Sequence, residues 1–539
     1  KNLGSSSCDS RRGPPWSAQL RTMLLAALES LQRKQDFDFC DGLRALAVLW
    51  VCADHGIAQM EFVVPSAHAV LFKTWWPVAI PASGEVGVDL FFVLSGFLIG
   101  NALHRELSAK GEFAWGKFYI RRLFRILPAC YSAMLATMVS DALAGWPATC
   151  PNQRWVRNLF VFNNINFDLD FTCLGHTWSV GIELQLYMAT PLLFGFASYM
   201  SSWTPRLPMT TWVVAVSGVL WALCLALRFH YVLEKGILKL VELNLFNLYF
   251  RTEFRYAAYI AGVLAGSVVS EEQARRSRAA SEPESRIVVV AKKCSVLVPC
   301  ILACACVFGG DMTAVADTSA TLRYRTNLPT LAILHAGALR PLLGAAVASM
   351  LMLCALSHVP STARFLGAPL WRPLAGLSYS MYLLQFVGTR FLCWPFLTVV
   401  APGLDEHTPL WLDAFVAYAG AIVFTLTCIP LAFLNYTFVE RPGIQAGKRV
   451  LALLTWAASG QTLAQGCATG GEACKTAYST PGDTGAEAAD CNELEELEAP
   501  QDMEAMMEKG LPRVSHDVVP CSTIAVVGRG LLLISTAGG

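Results

Sequence analysis

Apolar residues fall along this chain in long blocks separated by short charged stretches. Ten blocks approach or exceed the roughly 20 residues that a membrane-spanning helix needs. They cover residues 42–62, 86–103, 123–146, 178–200, 211–229, 254–270, 294–310, 341–357, 374–399 and 411–434. The apolar stretches 155–163 and 450–466 are too short to cross, and the first suits a re-entrant or interfacial turn. Residues 18–34 form a short amphipathic helix ahead of the first block, and no internal repeat is visible. The pattern predicts an all-α fold: a polytopic membrane helix bundle of about ten transmembrane helices.

Composition supports that class. Hydrophobic residues make up 54% of the 539 and charged residues 15%, against about 25% charged in soluble globular chains. The net charge of +1 provides no field for nucleic acid. With the N-terminus inside, inner segments hold 24 Lys and Arg residues and outer loops 11, the latter including Arg228, Arg255 and Arg340. That bias predicts both termini in the cytosol.

Three segments result: a cytosolic N-terminal segment with the amphipathic helix (1–36), a membrane domain (37–445) and a cytosolic tail (446–539). Residues 467–510 carry eleven acidic and two basic side chains, a composition that predicts disorder. The chain begins at Lys1 rather than Met, which leaves a fragment open, and residues 1–41 lack the apolar core of a signal peptide. Of eighteen cysteines, Cys300, Cys304 and Cys306 cluster without a His or carboxylate neighbour, so no metal site is expected. Cys150 and Cys173 flank an outer loop where a disulfide is expected.

Ionisable side chains inside apolar blocks are costly and mark functional sites by default. Arg44 and His55 are eleven residues apart in the first block, which places them on one helical face roughly 16 Å apart along the axis. An Arg near the cytosol suits an anionic donor, and a deeper His suits proton abstraction at neutral pH. The same spacing also suits a snorkelling Arg and a structural His. The second block carries Asp89, Ser95, Gly96 and Gly100, and the third opens with Arg122 and Arg125, neighbours on one face. Two guanidinium forks there fit phosphate oxygens or lipid headgroups. Trp178, Ser179 and Glu183 open the fourth block, with His55, Arg390 or an outer-loop Arg as partners for Glu183. The ninth carries Tyr379, Gln385 and Arg390, and Glu440-Arg441-Pro442 closes the last, where a helix-ending ion pair is the plain reading.

Taken in order, these segments resemble the acyltransferase-3 family of membrane O-acyltransferases, which includes OafA-like and nose-resistant-to-fluoxetine proteins. The resemblance rests on six blocks between about residues 37 and 445. They are Asp41-Gly42-Leu43-Arg44 leading to His55, Asp89 to Phe97, Arg122 with Arg125, Trp178-Ser179 with Glu183 and Tyr187, Ser378-Tyr379-Ser380 with Tyr382-Leu383, and Glu440-Arg441-Pro442. It implies transfer of an acyl group, commonly acetyl, from cytosolic acyl-CoA to a hydroxyl of a carbohydrate or lipid-linked acceptor. It also implies an integral multi-pass protein of an endomembrane or the plasma membrane, with acyl-CoA as co-substrate and no permanently bound cofactor. By the resemblance, Arg44 and His55 match the family's Arg-x10-His pair, and Arg122 and Arg125 its Arg-x-x-Arg motif, expected to bind acyl-CoA.

His55 is then the expected general base, with Asp89 or Glu183 orienting it, and Ser95, Trp178, Ser179, Tyr379, Gln385 and Arg390 in support. Gln385 departs from the family pattern, which often has a His there; an amide hydrogen-bonds but does not titrate. A transporter or lipid permease using the same polar residues as a substrate path is the alternative, and a catalytically silent scaffold is a third reading. A transporter of that kind often shows inverted halves and broken helices, and the sequence shows neither.

Overall fold

A computed structural model describes residues 15–60, 78, 80–145, 154–165, 174–235, 245–278, 284–308, 329–388, 394–400 and 408–458, all within one compact unit. Among the described residues every regular element is helical. An N-terminal α1 (Pro15–Gln32) precedes α2 (Phe39–Met60), α3 (Glu85–Lys110) and α4 (Trp115–Ala144). A short α5 (Arg154–Leu159) leads to α6 (Trp178–Trp203), α7 (Met209–Lys235) and another short helix, α8 (Leu245–Phe250). Then come α9 (Tyr256–Arg278), α10 (Arg286–Cys294), α11 (Leu297–Phe308), α12 (Pro329–Ala355) and α13 (Pro360–Leu366). The last four are α14 (Arg372–Gly388), α15 (Trp394–Val400), α16 (Leu410–Asn435) and α17 (Arg441–Ala458).

Each apolar block falls on helix where it is described, and among the described residues fewer helices than ten are long and apolar enough to cross a membrane. Six qualify: α3, α4, α6, α7, α12 and the continuous α16–α17 run, or seven if the α10–α11 pair is one bent span. The difference has a physical cause. Helices surrounded by other helices need not be compatible with lipid: α9 is buried almost without interruption from Ala257 to Ser270 yet ends in Arg275, Arg276 and Arg278. In α3 the apolar window is 78% buried, whereas in α7 only 17% is, so α3 is central and α7 peripheral.

The expected span 294–310 is broken, with a 60° bend between α10 and α11. The expected span 374–399 contains α14 and α15, and residues 389–393 between them lie outside the described residues. A broken helix is therefore present at α10–α11, where the apolar pattern suggested a continuous one. The short α17 runs through position 445, and a π-helical turn at Tyr436–Glu440 joins it to α16. Cys150, Cys173 and the acidic stretch 467–510 lie outside the described residues.

The closest helix pair is α3 with α9. A Cβ on Gly96 would collide with the Tyr259 carbonyl, and one on Gly100 with the Val263 carbonyl. Reciprocally, Gly262 lies against the Val93 carbonyl and Gly266 against that of Phe97. Two Gly-x-x-x-Gly ridges thus interlock, and the rising residue numbers on both sides show that the helices run parallel. Removing the side chains lets the backbones touch, which is how helices gain dispersion contact where lipid offers no hydrophobic drive. Smaller seams of the same kind seat α2 on its neighbours, with Gly84 against the Trp50 carbonyl and Gly56 against Ala421 of α16.

Replacing Gly262 with Val drives a branched side chain into the α3 backbone and is expected to cost about 3 kcal/mol or more. Gly218 on α7 faces open space, so Gly218→Ala is expected to be neutral or to stabilise by up to about 1 kcal/mol. Melting temperatures of the detergent-solubilised variants check this contrast.

Candidate functional site

Five helices enclose a cavity of about 910 Å³, counting the solvent at its mouth. Arg44 from α2 and Arg122 and Arg125 from α4 line it together. Arg44 Nη1 lies 3.2 Å from Asp41 Oδ1, one turn earlier on the same helix. Among the described residues Arg122 and Arg125 form no ion pair. The Arg122 guanidinium instead stacks over the rings of Phe118 and Tyr187, 5.6 and 5.3 Å from their centroids. Two guanidinium groups facing a cavity without carboxylate partners leave their charge available to an anion.

Glu183 lies in the same cavity. Its Oε1 accepts hydrogen bonds from the Ser95 and Tyr187 hydroxyls. Among the described residues its hydrogen-bond partners are thus these two hydroxyls rather than His55 or an Arg, and Arg390 lies outside the described residues. The result is a continuous polar track: Arg122 over Tyr187, Tyr187 to Glu183, Glu183 to Ser95. Tyr379 also lines the cavity and donates to the Ile126 carbonyl at 3.0 Å. Ser179 Oγ is 2.7 Å from the Tyr382 hydroxyl, which in turn donates to the His176 carbonyl.

Asp89 sits elsewhere. It is 1% exposed and pairs with Arg340 at 2.6 Å and Arg255 at 3.1 Å, while Arg340 also reaches Glu85 at 2.8 Å. Tyr249 and Trp178 stack on this cluster, 4.7 and 5.3 Å from the Arg255 guanidinium. Asp89 is thereby engaged in a buried, charge-balanced quartet of two carboxylates and two guanidinium groups and does not orient His55. Trp178 belongs to the same quartet rather than to the cavity. The positions read as outer-loop charges, Arg255 and Arg340, are buried within the bundle, as is Arg228. Arg228 donates to the carbonyls of Gly337, Phe254, Ala336 and Leu248. Glu85 and Asp89, four residues apart on one face of an apolar helix, were a sequence signal that two cations had to meet them.

His55 is half-buried and does not belong to the cavity lining. Its Nδ1 is 2.9 Å from Gln385 Oε1. A carbonyl oxygen only accepts, so this contact places the proton on Nδ1 and the lone pair on Nε2. The Phe386 ring packs 4.9 Å from the imidazole and equally close to His176, whose ring meets Tyr382 at 5.5 Å. Tyr382 lines the cavity and precedes Gln385 by three residues, a rise of roughly 4.5 Å on α14. Tyr382 of the cavity lining is thus about one helical turn from Gln385, and ring contacts through His176 and Phe386 connect it to His55. Tyr382 stands in a motif read from the sequence and His176 two residues ahead of another, but nothing in the local pattern marked them as neighbours of His55.

Glu440 is also buried and accepts from Ser380 at 2.7 Å; Asn435 donates to Ser380 and accepts from Ser132. The π-helical turn swings Glu440 inward, so it is not the ion pair read at the end of the helix.

The site thus consists of an arginine-lined cavity within a helical bundle and an imidazole tethered to an amide. Residues 37–432 match the acyltransferase domain family, and the chain belongs to it. It is 26% identical over 421 residues to the peptidoglycan O-acetyltransferase OatA of Listeria monocytogenes, covering 75% of this chain and 55% of that protein. The putative peptidoglycan O-acetyltransferase YrhL of Bacillus subtilis is 26% identical over 423 residues, 75% of this chain and 54% of that one. The regulator of hypoxia-inducible factor 1 of Caenorhabditis elegans is 25% identical over 265 residues, 44% of this chain and 52% of that protein. The chain spans about half the length of these curated relatives. No solved structure matches it.

Asp89→Asn leaves a buried excess of positive charge and is expected to destabilise the fold by about 3–5 kcal/mol. Arg255→Met in the same chain removes the excess and is expected to recover much of that loss, measured as a double-mutant cycle of melting temperatures.

Proposed function

We propose that this protein is a membrane O-acyltransferase that moves an acyl group, acetyl above all, from cytosolic acyl-CoA to a hydroxyl of a carbohydrate or lipid-linked acceptor. The observation that carries this reading is the depth relation of the two polar centres. Arg44, Arg122 and Arg125 line a cavity that also includes Tyr382, one turn of α14 before Gln385, and Gln385 Oε1 holds His55 Nδ1. The anionic end of a CoA thioester fits the guanidinium cluster, and its acyl end then points along the cavity toward Tyr382 and His55. Names of the OatA and YrhL relatives, both O-acetyltransferases of peptidoglycan, support acetyl as the group and a carbohydrate as the acceptor class. The apolar helices support residence in an endomembrane or the plasma membrane.

In the reaction, His55 Nε2 removes the acceptor proton as the oxygen attacks the thioester carbonyl. Collapse expels the CoA thiolate, which takes the proton from the imidazolium. General-base catalysis of this kind contributes about 10²–10⁴-fold. Gln385 is a positioning residue: its amide oxygen holds Nδ1–H and keeps Nε2 available. Glu183 remains a candidate acid–base group on the cavity side, where Ser95 and Tyr187 orient it. The break at α10–α11 does not favour a permease, because no α10 or α11 residue lines the cavity.

The test is release of free CoA from acetyl-CoA by purified protein with glycan and lipid acceptors. His55→Ala is expected to lower kcat by about 10²-fold or more. Arg122→Ala and Arg125→Ala are expected to raise the KM for acetyl-CoA about tenfold each, at little change in kcat. Near-parental turnover in His55→Ala disproves the general-base assignment.

A further inference from the structure

Phe386 carries an imidazole on two sides, His55 and His176, each 4.9 Å from its ring centroid. Each has one nitrogen tied to a fixed acceptor. Gln385 Oε1 faces His55 Nδ1 at 2.9 Å, and the Leu383 carbonyl faces His176 Nε2 at 3.1 Å. Both acceptors belong to the same turn of α14. A carbonyl oxygen has no proton to give, so both held nitrogens carry N–H, and the lone pairs fall on His55 Nε2 and His176 Nδ1. Both residues are half-buried. The His176 segment is itself anchored: Tyr382 donates to the His176 carbonyl, and the adjacent Thr177 hydroxyl accepts from Asn163 at 2.9 Å.

A structural histidine needs only one fixed bond. Here two imidazoles flank one ring with their donor nitrogens occupied, and among the described residues no hydrogen bond reaches their acceptor nitrogens. A single hydroxyl satisfies one of them. Two hydroxyls on adjacent carbons satisfy both, since two hydrogen bonds and the gap between vicinal oxygens bridge acceptors up to roughly 8 Å apart. We propose that His176 is a second acceptor-binding residue of the transfer site, and that together with His55 it selects a vicinal diol. His55 Nε2 takes the proton of the reacting hydroxyl, and His176 Nδ1 accepts a hydrogen bond from its neighbour. This inference rests on the O-acyltransferase reading and narrows its acceptor.

The experiment compares cis-1,2-cyclohexanediol with cyclohexanol, which differ by one hydroxyl, using the full chain in detergent. Two readouts are taken: the thermal shift each compound produces, and kcat/KM with acetyl-CoA. For the wild type the diol is expected to give the larger thermal shift and about tenfold higher kcat/KM than the mono-alcohol, the worth of one hydrogen bond. In His176→Phe, which keeps an aromatic ring against Phe386, both differences are expected to vanish. His176→Gln, whose amide supplies both a donor and an acceptor, is expected to retain part of the preference, and it serves if the Phe variant fails to fold. Equal discrimination in wild type and His176→Phe overturns the proposal. So does a wild type that turns over acetyl-CoA but treats the two acceptors alike, an outcome that leaves the O-acyltransferase reading intact. A diol-specific thermal shift that disappears in His176→Phe, without any acetyl-CoA turnover, upholds the diol site and removes the transferase reading.

Discussion

The bare-backbone contact between α3 and α9 sets the geometry of everything around it. With four glycines facing four carbonyls, the two helices approach until main chain meets main chain, and any side chain there would force them apart. That fixes α3, and α3 supplies both Ser95 to the cavity and Asp89 to the buried quartet. Six residues separate these two groups on one rigid helix. A shift of α3 would therefore disturb the cavity wall and the ion cluster together.

Charge is handled in two opposite ways within the same bundle. Around Asp89 every carboxylate meets a guanidinium in a dry setting, and Arg228 is enclosed by backbone carbonyls. Such arrangements lock helices in place, because removing either partner leaves a buried charge without compensation. At the cavity the guanidinium groups of Arg122 and Arg125 are stacked or solvated instead of paired. The contrast separates residues that hold the protein together from residues that have something left to bind, and hydropathy alone does not make that distinction.

Much of the architecture was legible in the apolar pattern, since all ten blocks fall on helix wherever they are described. What it misjudged follows from reading burial as lipid exposure. The helices α2, α9 and α14 lie against other helices and tolerate charge, and a run such as 294–310 is apolar on either side of a sharp bend. The site was legible as a set of residues rather than as an arrangement. Arg44, Arg122, Arg125 and Glu183 share a cavity as their spacing along the chain allowed, whereas Asp89 lies in a separate cluster because Arg255 and Arg340 arrive from distant segments. Those two arginines looked like loop charges because the pattern of one helix says nothing about carboxylates on another. Gln385 read as a loss against the family pattern, yet it supplies the acceptor that His55 meets.

The amide at position 385 has an effect that a second imidazole there could not provide. Glutamine neither gains nor loses a proton in the range where imidazoles titrate, so its capacity to accept from Nδ1 of His55 does not vary with pH. The neutral His55 ring therefore keeps one tautomer independent of the titration of any neighbour at that position.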